Sequence, residues 1–182
     1  MIKKVGKFIT SSDVLRITDP CYKKGTWCSG TIENCEIGKW SAFLIDSDEG
    51  AWGARIAENI AIFGDISIEE AQKILDESNW IDSLIDVGVD SGQAGIFDDS
   101  KYPEGEPGEY GDLNSFYGKC SNKTLGKVQG GVIDFGSVSS SGYGDGSYNC
   151  LYTTRNNKVF AVRIVFLTLI PGPIDDNFED EE

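Results

Sequence analysis

Cys21 stands directly after Asp19-Pro20 and before Tyr22, at the end of a predicted strand, and is the thiol whose setting points most clearly to chemistry. Proline fixes its own φ and pushes the preceding Asp into an extended conformation, which presents the thiol at a rigid corner. A nucleophilic thiolate there needs a base or a positive neighbour. This chain has no histidine and offers only Lys23, Lys24 or a distant basic residue. The competing reading is a structural turn. A second segment, Val89-Asp90-Ser91-Gly92-Gln93-Ala94-Gly95, carries glycines at a density that leaves backbone amides open to an anion, with Ser91, Gly92 and Gly95 as ligand-turn candidates. No Gly-Lys-Ser/Thr follows, so it is not a phosphate loop, and a bulged strand or tight corner is its plainer outcome. The third segment runs from Ser139 to Tyr148, where Gly142, Gly144 and Gly146 suit a hairpin turn and close backbone approach. Its Asp145, paired with Asp90, would suit a hard cation or acid/base work, although the calcium-loop spacing is absent. Cys21, Asp90 and Asp145 are therefore the catalytic candidates, and neither a metal nor a cofactor is expected.

The elements that must position these residues read as mostly β. Lys4 to Thr10, Val14 to Thr18, Thr31 to Ile37, Trp40 to Asp46 and Arg55 to Phe63 are predicted strands, separated by turn-forming breaks and spaced as an antiparallel meander. Within the last of them Ile56, Ile60 and Ile62 alternate, with Glu58 as the exception. Ser67-Ile68-Glu69-Glu70 is a capping-box pattern, and Ile68, Ala71, Ile74 and Leu75 follow at helical spacing, which predicts a helix over 68–77. Asp98 to Asp112 turns rich in Pro, Gly and acids and reads as an exposed loop, followed by a possible short helix around Leu113 to Lys119. Val132 to Phe135, Asn149 to Thr154 and Val159 to Leu169 complete the strands. The last is apolar on both faces, as a central strand is, and follows a natural turn at Arg155-Asn156-Asn157-Lys158. The expected class is α+β, mostly β, with antiparallel sheets as a sandwich or open barrel and one or two short helices. One β-rich domain over 1–174 is expected, then a tail over 175–182 with six acids and one aromatic, too polar to fold alone.

Composition narrows the function classes. With 182 residues, 40% hydrophobic and 25% charged, the chain suits one globular domain, and no apolar run is long enough for a membrane helix. Five cysteines with no C-x-x-C pair fit neither a disulfide framework nor a zinc knuckle and read as free thiols in a reducing cytoplasm. No export signal follows Met1. A net charge of −14 sets the field of the whole molecule against phosphate ligands, so no direct nucleic acid is expected.

The Asp-Pro-Cys-Tyr, Val-Asp-Ser-Gly-x-x-Gly and Ser-Gly-Tyr-Gly-Asp-Gly-Ser-Tyr segments resemble signatures of uncharacterised bacterial and phage proteins, families of unknown function with small β-rich folds. The resemblance implies a phage or mobile-element origin and supplies no catalytic residue. The chain is also loosely similar to the short acidic anti-CRISPR and anti-defence proteins. That similarity implies an inhibitor, acting in the bacterial cytoplasm, of a basic nucleic-acid-handling host protein such as an RNA-guided nuclease. The acids of the 98–112 loop (Asp98, Asp99, Glu104, Glu106, Glu109, Asp112) would make the electrostatic contact. Tyr102 and Tyr110, with Phe116 and Tyr117 beside them, would supply desolvated anchors. The alternative is a small enzyme, or a ligand- or metal-binding protein, using the Asp90 and Asp145 turns.

Overall fold

A computed structural model describes residues 1–169, in which two antiparallel sheets pack face to face without closing into a barrel. The hairpin of β4 (Lys39–Asp48) and β5 (Ala54–Phe63) is the scaffold of the larger sheet. β1 (Ile2–Ile9) pairs with the outer side of β4. On the other side β5 pairs with β11 (Lys158–Val165), then come β10 (Gly146–Arg155) and β6 (Ile81–Val89), giving the order β1-β4-β5-β11-β10-β6. β11 is interior to the sheet, as its doubly apolar sequence requires. Val159, Val162 and Ile164 join the core between the sheets, while Phe160 and Ala161 join the cluster under the first helix. Asn156 and Asn157, with φ of 53° and 62°, form the two-residue left-handed turn into β11.

The second sheet has the order β3-β2-β7-β9-β8 and contains β2 (Leu15–Thr18), β3 (Gly30–Ile32), β7 (Gln93–Asp98), β8 (Gly130–Ile133) and β9 (Gly136–Ser140). Leu15, Ile17 and Ile96 from this sheet and Trp40, Ala42 and Ile56 from the other fill the space between, dry enough to leave each at most 1% exposed. Each outer face has one helix. α1 (Ile68–Glu77) seats Ala71 and Leu75 against Phe43, Ile60 and Ile62, and its Ser67/Glu70 capping box is fully formed. α2 (Phe116–Thr124) seats Cys120 against Phe97, Tyr102 and Val138. None of the helices among the described residues is long and apolar enough to cross a membrane.

Several expectations are corrected. The early strands do not form a meander: β1 pairs with β4, whereas β2 and β3 belong to the other sheet. The strand expected over 31–37 stops at Ile32, because Asn34 turns at φ 58° and donates its side-chain amide to the Asn157 carbonyl (2.6 Å). The second helix begins at Phe116 rather than 113, with the Ser115 hydroxyl capping the Gly118 amide. Glu58, which broke the alternation of β5, is buried in a two-pronged ion pair with Arg163 (2.8 and 2.5 Å), whose guanidinium lies over Trp80. The acidic segment 175–182 lies outside the described residues.

Candidate functional site

Two of the three segments singled out in the sequence meet around the buried carboxylate of Asp19, and the third joins them through Gly92. Its Oδ1 accepts the Cys21 amide (2.8 Å) and the Ser91 hydroxyl (2.6 Å), and its Oδ2 accepts the amides of Asp90 (2.9 Å) and Ser91 (2.8 Å). The open amides expected at the Asp90-Ser91-Gly92 turn are thus present, but the anion they bind is the protein's own Asp19. The turn carries the chain from β6 in one sheet to β7 in the other, with Gly92 at φ 71°. The Gly92 carbonyl in turn accepts the Ser141 amide (3.0 Å) and so joins the second motif to the third. Gly95 is buried inside β7, where a Cβ would strike the Ser137 carbonyl and the Phe97 ring, so it serves packing. In the third segment Gly142 and Gly144 take φ of 58° and 113°, and the Tyr148 hydroxyl donates to the Gly144 carbonyl (2.6 Å). Gly146 opens β10.

Cys21 is half-exposed, but its thiol is poorly suited to attack. Burial pushes its pKa up to about 12, with the Asp19 carboxylate acting in the same direction, so the thiolate is scarce near neutral pH. Burial also raises the other thiols for which a shift is resolved, Cys35 and Cys150 to about 12 and Cys120 upward as well. All five cysteines are free.

Asp90 and Asp145, in contrast, do come together. Gly146 pairs with Val89 and Ser147 with Gly88, and this register brings the 145 turn beside the 90 turn at the rim of one cleft of about 470 Å³. Asp86, two residues before Gly88 on β6, joins them, its carboxylate accepting the Ser147 hydroxyl. Tyr22, Thr26 and Trp27 line the same cleft. The Tyr22 hydroxyl donates to Asp90 Oδ2 (2.8 Å), and burial together with that bond raises its pKa, so it is a fixed donor. Trp27 is 85% exposed, an unusual position for the largest apolar side chain. Three carboxylates and two aromatic rings thus line one concavity, groups of the kind that attract an organic cation by charge and by the ring quadrupole. Among the described residues no group of three or more Cys, Asp or Glu side chains is placed to hold a metal ion.

The residues of the 98–112 segment divide between buried and exposed. Asp98 is fully buried and accepts bonds from the Ser11 amide (2.7 Å) and the Ser12 (2.6 Å) and Ser100 (2.9 Å) hydroxyls. Burial opposes its ionisation, but these bonds outweigh it and hold the carboxyl below its ordinary range. Tyr102 is 2% exposed, packs on Phe97 and Phe116, and donates its hydroxyl to the Tyr22 carbonyl (2.6 Å). Neither can be a partner contact, because each is consumed in fastening the loop. Asp99 pairs with Arg16 (2.7 Å), Glu104 with Lys24 (2.6 Å) and Glu106 with Lys23 (2.6 Å). Glu109, Tyr110 and Asp112 are exposed, and Phe116 is half-buried against Phe97 and Phe135.

Sequence reasoning missed Trp27 and Asp86. A signal for Asp86 was present: Asp86, Gly88 and Asp90 alternate with Val87 and Val89, the pattern of a strand with one polar face. Comparison of the chain with family models, curated proteins and solved structures finds no match.

Proposed function

We propose that this chain is a binding protein that captures a cationic group of a basic protein partner in the cleft formed by Tyr22, Trp27, Asp86, Asp90 and Asp145. The observation that carries the reading is that the exposed Trp27 lines one cleft together with three carboxylates. An arginine guanidinium fits such a place: its plane stacks on the indole while its N–H groups reach carboxylates, and the net charge of −14 steers basic surfaces toward it. The loose similarity to acidic anti-defence proteins supports an inhibitor of a basic nucleic-acid-handling protein, such as an RNA-guided nuclease, whose positive channel offers many such side chains. The cleft, rather than the partly self-paired 98–112 loop, is then the docking element.

Titration with an oligo-arginine peptide tests this, with Trp27→Ala as the informative variant because an 85% exposed ring has little part in the fold. Saturable binding that weakens at least about tenfold in the variant supports the reading. Equal affinity for both proteins contradicts it. A second reading, a small-ligand site using Asp90 and Asp145, is favoured by their sharing one cleft. It predicts that arginine amide alone binds as tightly as the peptide.

A further inference from the structure

A larger groove, of about 850 Å³, lies where the edge strands β1 and β8 of the two sheets meet α2. Its floor is apolar, with Phe116 and Phe135 stacked at 5.7 Å between ring centres and Val132 and Ile133 beside them. Its rim is basic: Lys101 on the loop, Lys119 and Lys123 one turn apart on α2, and Lys7 on β1. Lys7 is paired with Asp65 (2.8 Å), whereas among the described residues Lys101, Lys119 and Lys123 form no ion pair, as is also true of Lys39, Lys73, Lys127 and Lys158 outside the groove. The carboxylate in the lining is Asp134, which is exposed.

We propose that this groove is a binding site for a small amphipathic anion, a carboxylate or sulfonate carried on an apolar or aromatic body. The volume is that of a small-ligand pocket, the half-buried aromatic floor takes the body, and the lysines, as mobile point charges, take the head group. A small anion meets only this local positive patch, whereas an extended polyanion would also meet the acidic surface around it. The site is separate from the cationic cleft and does not depend on it.

Fluorescence titration with anilinonaphthalene sulfonate, and its displacement by dodecanoate and by dodecyltrimethylammonium, provides the test. One probe should bind per chain, dodecanoate and not the cationic amphiphile should displace it, and a Lys119→Glu/Lys123→Glu double variant should weaken binding at least about tenfold. Both lysines are exposed, and Lys127→Glu, on an exposed lysine outside the lining, should leave affinity unchanged. No saturable binding, displacement by either amphiphile alike, or equal affinity in the double variant would overturn the proposal. Phe178, set among the acids of 175–182, has the same chemistry as the proposed ligand. If Phe178→Ala binds the probe at least about tenfold more tightly, the groove belongs to that segment and the small-ligand assignment is overturned.

Discussion

Asp19 is the residue on which the three motifs depend, since it joins the corner after β2, the crossing between sheets and, through Gly92, the turn before β10. Asp19→Ala would leave the amides of Cys21, Asp90 and Ser91 without their acceptor inside the protein, at a cost of about 3 kcal/mol. For a chain of this size that corresponds to a fall of roughly 6–12 °C in Tm, readable by thermal denaturation. A change under about 1 °C would show that the carboxylate is dispensable. Cys21 gives a kinetic expectation: alkylation by iodoacetamide is slow at pH 7 and still rising above pH 9, where an ordinary thiol is levelling off. A plateau by pH 8 would contradict the buried, acid-flanked environment. Asp98 gives a pH dependence. Its folded pKa lies below the ordinary 3.8, so the unfolded chain takes up the proton first as pH falls. The stability it contributes is complete above that value and is lost below it as pH drops through the folded pKa. Urea unfolding should show Asp98→Asn removing part of the acid-side decline; an unchanged pH profile would contradict the assignment.

At the scale of elements, α1 was legible from its cap and its spacing because both signals are local. Ser67→Ala should cost about 1 kcal/mol in chemical denaturation, since the hydroxyl accepts the Glu70 amide. β11 and its Asn-Asn turn were legible for the same reason. What local pattern could not reveal was which strands pair: β1 beside β4 and β2 beside β7 are long-range choices made by the two-sheet core. β6 was hidden because it is an edge strand with Asp82, Ser83 and Asp86 among its residues and a turn at Leu84, φ 61°. The loss mattered for the site, because β6 carries Asp86 and leads into Asp90. The 98–112 loop was recognised as a loop, but burial of Asp98 depends on serines more than 80 residues distant and that of Tyr102 on packing against Phe97 and Phe116, neither of which composition records.

For the whole molecule, the net charge is less informative than its arrangement. Three of the six loop acids, Asp99, Glu104 and Glu106, are paired with Arg16, Lys24 and Lys23, while those of the cleft have no cationic partner among the described residues, and Lys101, Lys119 and Lys123, likewise without one, collect at a separate groove. Exposed self-paired carboxylates add little to the attraction of a basic partner, so Glu104→Gln/Glu106→Gln should alter oligo-arginine affinity by less than about twofold. The most direct measurement sets that double variant against Asp86→Asn/Asp90→Asn/Asp145→Asn in the same calorimetric titration at low and physiological salt. The cleft variant should lose at least about tenfold in affinity and much of the salt dependence, with the loop variant close to the parent. Equal losses in the two, or the greater loss in the loop variant, would contradict a cation-capturing cleft.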